Sequence, residues 1–279
     1  MNNLSLKEVR DFCDAEGFVL KTPLGEGSFK SAHLASRGHS DFALKLIEFN
    51  GELEQRIVRE VNALSRCADR AVAKIFDFRQ VAVGGRKFWF LLEEYLGGGT
   101  LEWHVTNATL SAPQLRSVAT ELVRVLGHLH QNRIVHRDIK PANVLFRAGT
   151  YEPVLTDFGI ARVLDAPSLT RDFLAQGPGT PLFAAPEQLN NDKHLIDWRT
   201  DQYDLALTLA FCILGRHPYQ MANEGVQEAI TRVALRRSLP DETSAQLQEL
   251  GFSFLLKCLE PWPIKRYRRP EDLVEAVGD

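Results

Sequence analysis

The 279-residue chain is 44% hydrophobic and 25% charged, the balance of an ordinary globular protein, which excludes a mainly disordered one. A chain of this length buries roughly three quarters of the surface it exposes when unfolded, so it needs no disulfide or metal staple. Its 33 basic and 36 acidic residues leave a net charge of -3, so nothing in the total favours a nucleic-acid or anionic-membrane partner and any such patch must be local.

The four cysteines, Cys13, Cys67, Cys212 and Cys258, stand far apart with no CxxC pair. That pattern opposes a zinc cluster and a disulfide scaffold and suits a reducing compartment. The opening stretch lacks a basic region followed by an apolar core, so it is not read as a secretory signal. The longest strongly apolar run, LALTLAFCIL at 205–214, is about half of the roughly 20 residues needed to cross a bilayer. The expectation is a soluble, cytoplasmic protein with no membrane partner.

In chain order, Ser5 and Glu8 have the S-x-x-E form of a capping box, and Leu6, Val9, Phe12 and Cys13 follow as the apolar positions of a short amphipathic helix. LGEGSFKSA at 24–32 places Gly25 and Gly27 in a tight strand-turn-strand, where backbone N–H groups can approach a phosphate without a side chain in the way. FALK then sets Lys45 near the end of a strand. In EQRIVREVNAL, at 54–64, Ile57, Val58, Val61 and Leu64 recur at helical spacing, and Glu60 lies on the same segment. A hairpin is expected over 74–83 and 87–92 around Gly84-Gly85, its aromatic residues packed rather than ligand-binding. EEYLGGGTL, at 93–101, reads as an extended segment followed by three glycines that free the chain. From 112 to 132 an amphipathic helix buries Leu115, Val118, Leu122, Val125, Leu126 and Leu129. Its His128 and His130 are two positions apart and cannot share a helix face, which opposes a metal site there.

Residues 136–143 read HRDIKPAN and gather a carboxylate, an ammonium, an amide and a guanidinium between two apolar segments. By residue type, Asp138 can accept a proton from a hydroxyl, Lys140 can steady an oxyanion beside it, and Asn143 can bind a metal that carries phosphate. LTDFG at 155–159 then presents Asp157 from the end of an apolar strand, as a hard cation such as magnesium requires. GTPLFAAPE at 179–187 and PWPIKRYRRPEDL at 261–273 follow, with DQYDLALTLAFCILG between them.

The 136–143 stretch resembles the catalytic loop of eukaryotic-type (Hanks-type) serine/threonine protein kinases, the compact chain suggesting a bacterial or viral member, and the companion motifs stand in that family's order. The resemblance implies an α+β bilobal fold within a single kinase domain, with a small mainly β N-lobe over 1–96 and a larger mainly α C-lobe over 97–279. It implies transfer of the γ-phosphoryl of ATP to a protein Ser or Thr, with ATP and Mg2+ as cofactors, a protein substrate as partner, and no nucleic acid. Asp138 would be the base and Lys140 its neighbour. Asn143 and Asp157 would hold magnesium, and Lys45, set by Glu60 with Glu54 as the fallback partner, would hold the α- and β-phosphates. Leu24, Gly25, Gly27, Ala32, Ala43 and Leu145 would enclose the nucleotide, with backbone contacts to the base at Glu94 and Leu96. Thr180 matches the threonine that marks Ser/Thr specificity. Arg266 would pair with Glu187, and Asp201 would brace the catalytic loop from a buried helix.

Three positions depart from the family pattern. Lys30 stands where the family has its third glycine, with Ala32 at the valine. Glu93 falls just before the hinge, where an unpaired buried carboxylate is costly, so either Lys45 shares it or the register shifts by one. These departures keep one alternative in view, a catalytically weak pseudokinase acting as a nucleotide-binding scaffold. A small-molecule kinase is opposed by Lys140, Thr180 and the Ala185-Pro186-Glu187 anchor. The basic group Lys265, Arg266, Arg268 and Arg269 reads as a solvated face with one structural arginine. Arg137 is, in this family, the usual partner of an activation-segment phosphate, yet the nearest hydroxyls are Ser168 and Thr170. Basal activity is therefore expected without that phosphate, Asp172 supplying a fixed negative charge.

Overall fold

In the computed structural model, residues 4–27, 30–48, 67–158 and 181–278 are described, together with Val58, Val61, Asn62, Leu64 and Ser65. Glu54, Glu60, Gly159, Thr180, Ser168, Thr170 and Asp172 lie outside the described residues, as does the side chain of Lys30. The described chain forms two compact units and passes from the first to the second at Gly97 and Gly98.

The first unit is mainly sheet. Helix α1 (Leu6–Ala15) starts at the expected capping box: the Ser5 hydroxyl accepts the Glu8 N–H, and Glu8 Oε2 accepts the Ser5 N–H at 2.8 Å. Val9 and Cys13 are buried, while Leu6, expected on the apolar face, is exposed. Five antiparallel strands follow: β1 (Val19–Gly27), β2 (Lys30–Arg37), β3 (Ser40–Glu48), β4 (Ile75–Val83) and β5 (Arg86–Glu94). Their spatial order is β1-β2-β3-β5-β4. The β4–β5 turn is Gly84-Gly85, with φ of 56° and 76°; positive φ at both central residues is what a two-residue hairpin needs to match strand twist.

Alternation divides the apolar residues of this sheet between two faces. One face carries Leu44, Leu46, Phe88, Phe90 and Leu92 and packs under Val9 and Cys13 of α1. Phe12 meets Phe90 edge-on, ring centroids 5.5 Å apart. The other face carries Ile47, Trp89 and Leu91 and packs against Val61, with Phe78 stacked on Trp89 at 4.7 Å. Most of the hairpin aromatics are packed as expected, but Phe76 is exposed.

The second unit is mainly helical, which makes the fold α+β. It contains α2 (Leu101–Thr106), α3 (Ala112–Gln131), a two-stranded hairpin of β6 (Val144–Phe146) and β7 (Pro153–Leu155), the one-turn α4 (Pro186–Leu189), α5 (Trp198–Leu214), α6 (Val226–Ala234), α7 (Asp241–Glu249), α8 (Phe254–Cys258) and α9 (Pro270–Gly278). Helix α3 begins at a Ser111/Gln114 capping box and buries the whole predicted stripe from Leu115 to Leu129. Helices α5 and α9 pack on it.

Helix α5 is capped by Asp197 and ends at Gly215 in the left-handed region, φ 67°. Its residues are buried nearly all round, the signature of a core helix rather than a surface one. Among the described residues no helix is long and apolar enough to cross a membrane.

Candidate active site

The residues singled out for chemistry fall on both units, and each set is built by its own elements. In the first unit, β3 carries Ala43 and Lys45, and β2 places Ala32 directly opposite Lys45. Alternation sends Ala32, Ala43 and Lys45 to one sheet face; the two alanines are small enough to leave it open to a flat ligand. Gly25 pairs with Ala32 and Gly27 with Lys30, so the glycine-bearing hairpin continues this face. Leu24 is exposed and Leu96 buried, while the Glu94 N–H is bonded to the Lys74 carbonyl at 2.9 Å. The question left open at Glu93 is answered by its side chain: its Oε2 accepts from Lys45 Nζ, and both residues are buried. The carboxylate is paired.

In the second unit, Gly98 and Gly99 bring the chain against β6. The Gly98 N–H donates to the Phe146 carbonyl at 2.9 Å, and the Phe146 N–H to the Gly99 carbonyl at 3.0 Å. A Cβ on Gly98 would lie 2.6 Å from that same Phe146 oxygen, so close backbone approach, rather than a special φ, requires glycine here. Leu145, half-buried on β6, is held by a bridge to Thr100.

The 136–143 loop is clamped from beneath. Asp201, in the first turn of α5, accepts the His136 and Arg137 N–H groups, one on each carboxylate oxygen and both at 2.8 Å. Burial pushes the Asp201 carboxyl up to about 7, although these two N–H donors and the nearby Arg137 charge pull the other way. His136 is fully buried, its Nδ1 accepting the Asp138 N–H at 3.3 Å. That leaves the proton on Nε2, which donates to the Thr156 carbonyl at 3.0 Å and ties the loop to the strand that presents Asp157. The Phe158 ring packs on His136, centroids 4.3 Å apart.

Above this clamp the Asp138 carboxylate is fixed from two sides, with Lys140 Nζ 3.0 Å and Asn143 Nδ2 2.9 Å from the same oxygen, Oδ2. Asn143 Nδ2 also donates to the Asp138 carbonyl at 2.8 Å, so the amide is oriented with its Oδ1 free of those bonds. The Asn143 carbonyl accepts the Thr156 N–H at 3.0 Å, which sets Asn143 and Asp157 on adjoining backbone. Asp157 itself has φ of 58°, a left-handed conformation uncommon outside glycine and held here by its surroundings. An amide oxygen and a carboxylate so placed fit magnesium, which takes one or two protein oxygens and completes its shell from phosphate and water. Among the described residues there is no cluster of three or more His, Cys, Asp or Glu side chains of the kind a dedicated protein cage would need.

Arg266 and Glu187 meet as expected, at 2.6 and 3.0 Å, fully buried. Three further anchors were not singled out from the sequence. Gln188 donates to the Arg137 carbonyl at 2.8 Å, Thr208 to the Ile139 carbonyl at 3.1 Å, and Asp204 accepts the Ala185 N–H at 3.0 Å. The signal for two of them was available: Asp201, Asp204 and Thr208 recur at helical spacing inside an otherwise apolar segment, one polar row on a buried helix.

A sheet unit with an internally paired lysine, joined to a helical unit with a clamped HRD loop, is the architecture of protein kinases. Residues 18–275 match the protein kinase domain family, and the chain belongs to it. The chain is 31% identical over 276 residues to the serine/threonine-protein kinase PknF of Mycobacterium tuberculosis, covering 94% of this chain and 56% of that protein. It is 27% identical over 263 residues to the serine/threonine-protein kinase PrkC of Bacillus subtilis, covering 90% of this chain and 38% of that one. The chain thus spans about half or less of the length of these relatives. Its fold resembles the crystal structure of the Mycobacterium tuberculosis PknI kinase domain, with a TM-score of 0.65 at 22% identity, covering 94% of this chain and 95% of that chain.

Proposed function

We propose that this chain is a serine/threonine protein kinase that transfers the γ-phosphoryl of Mg-ATP to a protein hydroxyl. The observation that carries the reading is the Asp138 carboxylate, held by Lys140 and Asn143 above a backbone that Asp201 clamps. Phosphoryl transfer leaves a protein little to do beyond positioning and charge stabilisation, and a preset carboxylate with a cation beside it supplies both. Asp138 orients the incoming hydroxyl and accepts its proton. Lys140, on the same oxygen, balances the charge that builds on the phosphoryl group. Asn143 and Asp157 would hold magnesium, which would screen the phosphate charges when bound. Lys45 holds the α- and β-phosphates, the Gly25 and Gly27 backbone covers them, and Glu94 and Leu96 meet the base. All four cysteines are free and buried, which suits action in the cytoplasm.

The test is transfer from radiolabelled ATP to a generic protein substrate, with and without magnesium, followed by identification of the labelled amino acid. Asp138→Asn is expected to lower turnover by about 10²- to 10⁴-fold while leaving ATP affinity nearly intact. Unchanged turnover in the folded variant would overturn the assignment. Metal-independent nucleotide binding with no transfer in the unaltered chain would favour the scaffold instead.

A further inference from the structure

The ion pair between Lys45 and Glu93 joins neighbouring strands of one sheet. Lys45 stands opposite Leu91 and Glu93 opposite Ala43, so the two side chains leave the same sheet face one diagonal step apart, within reach of long side chains. Lys45 is 6% exposed and Glu93 3%. Taking both charges out of water costs several kcal/mol per ion, and an apolar pair of similar volume would be as stable or more so. Stability alone therefore gives no reason for a carboxylate at this position.

We propose that Glu93 is the positioning residue for Lys45, the acceptor that holds its ammonium on the sheet face where it meets the α- and β-phosphates. This rests on the kinase reading above and goes beyond it, because the sequence motifs assign that task to Glu60 on the 54–64 segment. An acceptor on β5 differs physically from one on a helix. The ladder between β3 and β5 runs unbroken from Phe42 opposite Glu94 to Glu48 opposite Phe88, so donor and acceptor are fixed by one set of backbone bonds. The spacing of Lys45 and Glu93 then does not wait on the docking of another element.

The experiment compares Glu93→Gln and Glu60→Gln in the full chain, reading kcat for protein phosphorylation and, by calorimetry, affinity for adenosine, which has no phosphate. Glu93→Gln is expected to lower kcat by about tenfold to a hundredfold, the scale of a misplaced reacting group, and to cost more than Glu60→Gln. Adenosine affinity is expected to stay within about twofold, since the residue acts through Lys45 and not on the base. A kcat within about twofold of the unaltered chain, a larger loss in Glu60→Gln, or a parallel loss of adenosine affinity would each overturn the proposal. Should Glu93→Gln not fold, Glu93→Asp keeps the charge but withdraws it by one methylene. A loss of kcat with adenosine affinity retained supports the proposal in that variant too, and an unchanged kcat overturns it. Lys45→Met separates the two levels: if it leaves ATP affinity and kcat unchanged, the phosphate-holding role of Lys45 has failed and not merely its positioning by Glu93.

Discussion

Replacing Arg266 by Met tests how the second unit is held together. The guanidinium is 1% exposed and donates to both oxygens of Glu187 and to the carbonyls of Arg199, Glu260 and Pro261, while its carbon lies 4.7 Å from the centre of the Tyr203 ring. Methionine fills much of the same volume, so packing changes little and the loss is electrostatic. Glu187 would be left fully buried with only the Thr200 hydroxyl, at 2.9 Å, among the partners seen here. Breaking a buried pair from one side costs about 3–5 kcal/mol, and the three carbonyls stripped of a donor place Arg266→Met at the upper end. For a unit of this size that corresponds to a fall in Tm of about 6 to 20 °C. Thermal unfolding followed by circular dichroism measures it. The double variant Arg266→Met with Glu187→Met removes the stranded charge but not the carbonyl deficit, so its Tm is expected between the single variant and the unaltered chain. A single-variant shift under about 3 °C, or a double variant no more stable than the single one, would refute the reasoning.

Asp157→Ala is expected to abolish magnesium-dependent ATP binding or transfer while leaving the unfolding curve within about 1 kcal/mol, as for a side chain outside the core; calorimetry with and without magnesium checks it. The pH dependence of stability carries two opposed contributions from the second unit. Burial raises the Asp201 carboxyl from 3.8 to about 7, so between those values the native state holds a proton the unfolded chain has released, and stability falls as pH rises. Burial lowers the His217 imidazole from 6.5 to about 4, so over that range the unfolded chain holds the extra proton and stability rises with pH. The two slopes, each about 1.4 kcal/mol per pH unit, cancel between pH 4 and 6.5. His217→Gln is expected to unmask the Asp201 slope, giving a variant whose denaturant midpoint falls as pH rises from 4.5 to 6.5; a flat or rising profile would refute the assignment.

What was legible in the sequence was mostly local. The Ser5/Glu8 capping box, the Gly84-Gly85 hairpin and the buried stripe of α3 each follow from residues within a few turns of one another. The pairing of Glu187 with Arg266 and the bracing by Asp201 came from motif resemblance, and the geometry of both is as expected. What stayed out of reach depends on strands distant in the chain. Whether Lys45 meets Glu93 is decided by the register of β3 against β5, which no local pattern fixes. Thr208 was passed over for a different reason: it lies within the ten-residue run read as strongly apolar, and its helical spacing from Asp201 and Asp204 shows a polar row without naming its acceptor, the Ile139 carbonyl. The tautomer of His136 likewise follows from two backbone groups that only the fold brings to its ring.

The polar row on α5 also bears on which parts of the molecule open together. Loop amides ordinarily exchange their hydrogens with solvent quickly, because their bonds break in small local fluctuations. The His136, Arg137 and Ala185 amides are bonded instead to carboxylates of a helix that is itself the centre of the second unit. Releasing them requires α5 to leave its packing against α3, an excursion on the scale of unfolding the unit. The HRD loop and the Ala185-Pro186-Glu187 anchor thus belong to the same cooperative block as the hydrophobic centre. Their deuterium uptake should be as slow as that of α5, so Asp138, Lys140 and Asn143 keep their spacing for as long as the unit stays folded.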